Sequence, residues 1–464
     1  MLFLTMLPVE FQQTVSRLLG RDEAGLLLDA LTQAERPVSI RLNPSKMPPA
    51  LPAADKGAVP WSSHGHYLQE RPAFTFDPLL HAGCYYVQEA ASMFVEQAWR
   101  VVSADGVPQR VLDLCAAPGG KSTLWRSLMP EDTLLVANEP VRQRAQILAE
   151  NMAKWGHPDV VCTSAYPEAF AGLGSFFDVI AADVPCSGEG MFRKDEGAVA
   201  AWSAEAVELC AARQWQIISD VWPALREGGF LVYSTCTFNR EENEDNVWRI
   251  CRELGAEPVA IPVAEEWNIA GDTTGRNLPV YHFFPHRTTG EGFFLALLRK
   301  TSEAPLLREK KNKKSKGGPR QAVAGGREVA DWLRQPSQFR LLQSDETHVL
   351  AVRECLAEDV MRLTATVKSL TAGIALAELK GRKLVPQHPL ALSTQSNPEA
   401  FPGVELSLDD ALTYLRHEAL TLPSDTPRGY VTAKFKGFVL GFLNNLGVRA
   451  NNFYPAEWRI RSAR

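Results

Sequence analysis

The sequence predicts an α/β protein built on a doubly wound, mostly parallel sheet. Short apolar runs at 110–115, 134–139, 160–164, 177–183 and 230–235 alternate with helical stretches at 121–129, 141–155, 204–226 and 240–254, the pattern of a parallel sheet covered on both faces. The runs are apolar nearly throughout, as strands buried on both faces are. Small and reactive residues gather just beyond their C-terminal ends, where ligands of open α/β sheets bind. At 464 residues the chain exceeds one usual core, so two or three domains are expected.

Ahead of the sheet, residues 8–31 carry helical periodicity through Phe11, Val15, Leu18, Leu19, Leu26, Leu27, Leu28 and Leu31, broken at Gly20-Arg-Asp22. Residues 36–43 alternate polar and apolar side chains, as a half-buried strand does. A small α+β lobe over 1–82 follows from these, with Arg41 and Asn43 on its polar face.

The first strand of the sheet runs into Cys115-Ala-Ala-Pro-Gly-Gly-Lys121 and then a helix. Small residues let the backbone approach a ligand, and a helix N-terminus offers free N–H groups and partial positive charge. This is the chemistry of a cofactor loop. It lacks both the GxGxxG spacing and the GxxxxGK[ST] of a P-loop, which disfavours a dinucleotide fold and an NTPase. At the end of the second strand, Glu139 can accept hydrogen bonds from two ribose hydroxyls. The runs at 177–182 and 230–233 end near Asp183-Val-Pro-Cys186 and Ser234-Thr-Cys236-Thr, so two thiols are expected to face one crevice. The pair 280–285 and 292–298 reads as a closing antiparallel hairpin.

Hydrophobic residues make up 45% and charged residues 22% of the chain, an ordinary soluble composition. A net charge of -5 decides nothing about nucleic acid, because a local basic stripe binds phosphates and the total averages it away. No apolar stretch approaches the roughly 20 residues that span a bilayer, and residues 1–7 lack the basic start of a signal peptide. A cytoplasmic protein is the expectation. The cysteines at 84, 115, 162, 186, 210, 236, 251 and 355 form no C-x-x-C pair, so neither a zinc site nor a dithiol redox centre is supported. Cys115, Cys162, Cys210, Cys251 and Cys355 suit small packed hydrophobes, and Cys84 stands within a motif of its own.

Together, Asp113-Leu-Cys-Ala-Ala-Pro-Gly-Gly-Lys121, Asp183-Val-Pro-Cys-Ser-Gly-Glu-Gly190 and Ser234-Thr-Cys-Thr237 resemble the Sun/Fmu family of RNA cytosine-5 methyltransferases. Met191-Phe-Arg-Lys-Asp195, Gly83-Cys-Tyr-Tyr-Val-Gln-Glu-Ala-Ala-Ser-Met93 and Gly447-Val-Arg-Ala-Asn-Asn-Phe-Tyr-Pro-Ala-Glu-Trp458 are similar to its RsmF-type branch, which modifies small-subunit ribosomal RNA. The resemblance implies a class I methyltransferase domain over 83–300, a seven-stranded sheet with an antiparallel terminal hairpin, and a PUA-like RNA-binding module over 328–464. S-adenosylmethionine would lie across Cys115, Ala116, Ala117, Pro118, Gly119, Gly120 and Lys121, with Glu139 on its ribose, Arg144 bracing the region and Asp183 near the methyl. Where relatives often carry Asn or Asp in the next loop, this chain has Ser164 and Ala165. No metal is implied, nor DNA or membrane as a partner.

Carbon 5 of cytosine is a poor nucleophile. A thiolate added at carbon 6 makes carbon 5 enamine-like, and a base at carbon 5 must later help expel that sulfur. Two thiols meet both demands. The family order makes Cys236 the attacker and Cys186 the releasing group, whereas the order in DNA cytosine methyltransferases is the reverse. Asp183 would hold ring nitrogen 3 and the amino group, favouring cytosine over uracil. Lys121 is either an active-site cation that supports the thiol and the base or a solvated first-turn lysine. The base must be unstacked to be reached. Met191, Phe192, Arg193 and Lys194 offer a wedge with phosphate contacts, or Met191 and Phe192 cap the core.

After the linker at 301–327, rich in Lys310, Lys311, Lys313, Lys314, Lys316 and Arg320, Trp332, Phe339, Phe435, Phe438, Phe442 and Trp458 are available for a separate core. Lys434, Lys436, Arg449, Asn451, Asn452, Arg459 and Arg461 suit RNA. So do Arg41 and Asn43, unless their strand face is merely solvated. The linker is a tether or an electrostatic arm on phosphates. The function expected is methylation of 16S ribosomal RNA. Transfer RNA as substrate, or a catalytically silent assembly factor, are the alternatives, and the retention of Cys186, Cys236, Asp183 and Lys121 disfavours silence.

Overall fold

The computed structural model describes residues 7–32, 36–302 and 326–462. The linker lysines and Arg320 lie outside the described residues. Helices Val9–Leu19 and Arg21–Thr32 precede an antiparallel sheet of β1 (Val38–Leu42), β2 (Asp55–Ala58), β3 (Gly65–Leu68) and β4 (Tyr85–Val87), in the order β2-β3-β1-β4. The break between the helices falls at Gly20, whose φ of 81° suits a residue without Cβ.

The predicted runs become β5 (Arg110–Asp113), β6 (Leu134–Asn138), β7 (Val160–Thr163), β8 (Phe177–Asp183) and β9 (Leu225–Thr235), followed by β10 (Ala256–Val259), β11 (Val280–Phe283) and β12 (Phe293–Lys300). Strands β5 to β9 pair in parallel, and antiparallel β12 closes the sheet against β9. Two short strands, β10 and β11, share the outer edge of β12. Both faces are dry: Leu112, Ile180 and Leu231 belong to one buried cluster, and Val111, Val179 and Val232 to another. Adjacent residues of each strand thus enter opposite cores, as alternation requires.

The helices keep their predicted places with two adjustments. The one from Ala204 stops at Val221 because Pro223 follows, and β9 already begins at Leu225. The next starts at Glu244 rather than 240, since Asn239, Glu242 and Asn243 turn their side chains to the loops before them.

Neither the RNA-facing nor the solvated expectation for Arg41 and Asn43 holds, because both are buried. Arg41 donates to Gln88 Oε1 at 2.8 Å, Thr123 Oγ1 at 2.6 Å and the Gly120 carbonyl at 3.3 Å, and its guanidinium lies 4.6 Å from the Trp155 ring. Burial lowers its pKa to about 9. Asn43 donates to the Gly83 and Trp155 carbonyls. Strand alternation marked these positions as polar, but the polar face is the one that docks on the catalytic core.

Beyond the linker come β13 (Phe339–Gln343), β14 (His348–Arg353), β15 (Ser369–Ala372), β16 (Ile374–Lys380) and β17 (Lys383–Pro386), then β18 (Gly403–Glu405), β19 (Gly429–Phe435), β20 (Phe438–Asn445) and β21 (Ala450–Asn452). β15 leaves its neighbours to pair antiparallel with β7, extending the central sheet to nine strands. The aromatic residues do not form the one separate core expected. Phe339 and Phe442 share one cluster, Phe435 packs in another with Ile40, Leu42 and Tyr85 of the first lobe, and Leu342 and Val352 join the core of the central sheet. Sheets of four strands leave apolar faces too large to cover alone, and the rest of the chain covers them. Arg353 adds a buried ion pair, with both Asp159 oxygens 3.0 Å from its Nε.

Candidate active site

β8 and β9 run side by side with Asp183 opposite Ser234, so the loops that leave them start together. The Cys186 and Cys236 sulfurs are 3.2 Å apart, and the Cys236 amide lies 3.4 Å from Cys186 Sγ. Both are free thiols of intermediate exposure. The hydrogen bond with Cys236, then burial, pushes the Cys186 thiol well above its ordinary pKa.

Asp183 accepts from Ser234 Oγ at 2.8 Å on one oxygen and from Lys121 Nζ at 2.8 Å on the other. Burial works against the charge on Lys121, but Asp183 outweighs it and the lysine pKa is raised. Its ammonium also stands 5.2 Å from the Phe293 ring centre. Lys121 is therefore a partnered cation and not a solvated first-turn lysine. Behind it, Asp113 accepts from Ser122 Oγ at 2.6 Å at the start of helix Gly120–Leu128. Burial pushes this carboxyl up to about 7.

Cys115, Ala116, Ala117, Pro118, Gly120, Lys121, Asp183 and Cys236 line one cleft of about 360 Å³. Gly119, at φ 119°, turns the loop into the helix, and a Cβ there would meet Asn151 at 3.3 Å. A Cβ on Gly120 would meet Tyr86 at 3.3 Å. Glu139 is buried beside this wall, with one oxygen accepting the Val141 amide at 3.0 Å and the other 3.4 Å from Arg144, which donates to the Ala117 carbonyl at 3.1 Å. Arg144 thereby spans the loop and the acidic strand end. The Ser164–Ala165 loop hangs on Asn138, whose amide donates to the Ala165 carbonyl and whose oxygen accepts the Ala165 amide.

Three residues that sequence reasoning passed over hold the thiol loops together. Glu189 accepts from the Phe238 amide at 2.7 Å, the Asn239 amide at 3.1 Å and Trp202 Nε1 at 3.0 Å. Glu242 accepts from the Ser187 amide at 3.0 Å and Gln214 Nε2 at 2.7 Å. Asn239 Nδ2 bridges both carboxylates. Glu189 and Glu242 are both buried, and burial raises the Glu242 pKa. The only sequence signal was a polar cluster, Asn239 to Asn243, at a place where a helix could already have begun.

The stretch after Cys186 divides. Met191 and Lys194 line the cleft, while Phe192 packs 5.0 Å from the Phe11 ring in the core. Arg193 is not placed for phosphate, because its Nε donates to Glu291 at 2.9 Å in a nearly buried pair. The far wall, Tyr86, Gln88, Glu89 and Ser92, comes from β4 and the turn after it.

Residues 105–299 match the family described as 16S rRNA methyltransferase RsmB/F, residues 7–90 the N-terminal domain of 16S rRNA methyltransferase RsmF, and residues 401–460 the RsmF PUA domain. A Shigella boydii serotype 4 protein named ribosomal RNA small subunit methyltransferase F is 34% identical over 425 residues, covering 86% of this chain and 84% of the relative. The chain belongs to the RsmF family of 16S rRNA methyltransferases. An Escherichia coli O17:K52:H18 member is 33% identical over 463 residues, 92% of each chain. The crystal structure of a methyltransferase homologue from Pyrococcus horikoshii aligns with a TM-score of 0.54 at 24% identity, over 64% of this chain and 96% of that one, a likeness of fold. The RsmF family uses S-adenosylmethionine, and this wall of the cleft fits it: from Cys115 to Gly120 the loop carries nothing larger than a methyl, a thiol or a proline ring, so its backbone can approach a ligand closely. Among the described residues no helix is long and apolar enough to cross a membrane.

Proposed function

We propose that this cleft methylates carbon 5 of a cytosine in 16S ribosomal RNA, with Cys236 as nucleophile and Cys186 as the group that releases the product. The observation that carries the assignment of roles is an asymmetry: Cys236 lines the cleft beside Lys121 and Asp183, whereas Cys186 stands 3.2 Å away and is not part of that lining. The Cys236 thiolate adds to carbon 6, and the displaced electron pair passes toward ring nitrogen 3 and carbon 5. Asp183, held by Lys121 and Ser234, accepts from the amino group and so orients the ring, and the lysine cation offsets the charge that collects at nitrogen 3. S-adenosylmethionine supplies an electrophilic methyl group. The backbone from Cys115 to Gly120 and the Lys121 end of the loop would hold it, with Glu139 for the ribose and Arg144 as brace. Cys186 Sγ, 3.2 Å from the Cys236 sulfur, gives its own proton to solvent and takes the carbon 5 proton; the electrons of that C–H bond close the carbon 5–carbon 6 double bond as the Cys236 sulfur leaves carbon 6 as a thiolate.

In this reading residues 83–300 are the catalytic unit, 1–82 and 328–464 contribute RNA contacts, and the protein works in the cytoplasm, where its thiols stay reduced. The test is bisulfite mapping of total RNA from cells with and without the protein. A single cytosine of 16S ribosomal RNA should lose its protection when the protein is missing, and a change confined to transfer RNA would overturn the substrate.

A further inference from the structure

The catalytic cleft continues past its own walls. Val87, Gln88, Glu89, Lys194 and Glu291 line both the cleft and a second hollow of about 620 Å³. Arg36, Pro37 and Val38 line both that hollow and a third of about 390 Å³ over β2 and β3. The three hollows thus adjoin in series from Cys236 across the first lobe, and together they constitute the channel.

Its charge is one-sided. Lys194, Arg71, Arg36 and Lys56 stand along it and are exposed. Arg36, Lys56 and Arg71 have no ion-pair partner among the described residues, and Arg71 lies 5.4 Å from the Phe74 ring. The two carboxylates in the channel are already engaged. Glu89 accepts the Ala91, Ser92 and Glu291 amides, and Glu291 is paired with Arg193 and lies 3.9 Å from Lys194. Tyr67 also lines the channel, anchored by its hydroxyl to the Thr289 carbonyl at 2.8 Å. A cationic groove with an anchored aromatic residue is the composition that follows a single nucleic-acid strand.

We propose that this channel holds the unpaired nucleotides flanking the target cytosine, with phosphates on Arg36, Lys56 and Arg71 and a base against Tyr67. The inference rests on the cleft being an RNA methyltransferase site. A base drawn into the cleft leaves its own backbone at the mouth, and this channel is the positively charged way out.

The test compares the full-length protein with the triple variant Arg36→Ala, Lys56→Ala, Arg71→Ala on a 16S-derived RNA carrying the target, at several salt concentrations. Each lost phosphate contact on a single strand flattens the plot of log affinity against log salt by about 0.7, so the triple variant should flatten it by about 2. Its KM for RNA should rise about tenfold or more at low salt, with S-adenosylmethionine binding intact by calorimetry. An RNA trimmed to end beside the target should erase the difference between the two proteins. Lys56→Ala alone, on an exposed strand, should flatten the plot by about 0.7 if the triple variant folds poorly. Unchanged slope and KM in variants that bind the cofactor, with a wild type that methylates the RNA, would overturn the channel. A wild type that methylates no RNA would instead overturn the site assignment on which it rests.

Discussion

Cys186 and Cys236, 50 residues apart in sequence, hold their sulfurs 3.2 Å apart without a disulfide. The proximity follows from the register of β8 on β9, and it places a second sulfur beside the one that faces the cleft. Cys236→Ala should therefore abolish methyl transfer and leave no covalent complex. Cys186→Ala should still attack but fail to let go, so a protein–RNA adduct should survive denaturing electrophoresis. Adduct from the first variant and none from the second would exchange the two roles.

Asp113 ties acid stability to the cofactor loop. Burial raises its pKa from 3.8 to about 7, so the folded state holds a proton that the unfolded chain releases between those values. The stability this group confers is complete below about pH 4 and lost as pH rises through 7, by up to about 4 kcal/mol at 1.36 kcal/mol per unit. Asp113→Asn keeps an acceptor for Ser122 and does not titrate. Its melting temperature relative to wild type should climb from pH 4 to about pH 7 and then level off in scanning calorimetry. A constant difference would show that the carboxyl is ionised throughout.

Gly190 is a backbone contact between the two thiol loops. Its amide donates to the Cys236 carbonyl at 2.8 Å, and a Cβ would meet the Cys236 carbonyl oxygen at 2.9 Å and the Glu291 and Gly292 oxygens at 3.1 Å. These neighbours are backbone and cannot swing aside. Gly190→Ala should lower kcat about tenfold or more by shifting the sulfur by a fraction of an ångström, while cofactor affinity measured by calorimetry stays within about twofold. An unchanged kcat would mean that the loops tolerate displacement.

Arg41 joins the first lobe to the glycine loop through Gln88, Thr123 and the Gly120 carbonyl. Arg41→Ala leaves buried acceptors unpaired and a cavity against Trp155, a loss on the order of 3 kcal/mol. Arg41→Lys should recover little of it, because a point ammonium cannot present the planar fork. Urea unfolding checks both variants, and full recovery by lysine would reduce the contact to simple charge.

The strands and the thiols were legible because their signals are local. Continuous apolar runs mark buried parallel strands, and their register carries Asp183, Cys186, Ser234 and Cys236 to one end. The clamp of Glu189, Asn239 and Glu242 was not legible, since each residue acts on a loop about 50 positions distant or on a partner that only folding supplies. Arg41 and Asn43 misled for a related reason. Alternation tells which face of a strand is polar, but not whether that face meets water or another lobe.

β15 completes the edge of the catalytic sheet from beyond the linker, through the pairing of Ser369 with Thr163 and Ala372 with Val161. The C-terminal third is consequently no detachable cassette. A chain cut at the linker would leave the amides and carbonyls of β7 bare along one side, a template for strand addition between copies, so the truncated enzyme should be lost to aggregation before its RNA affinity could be measured.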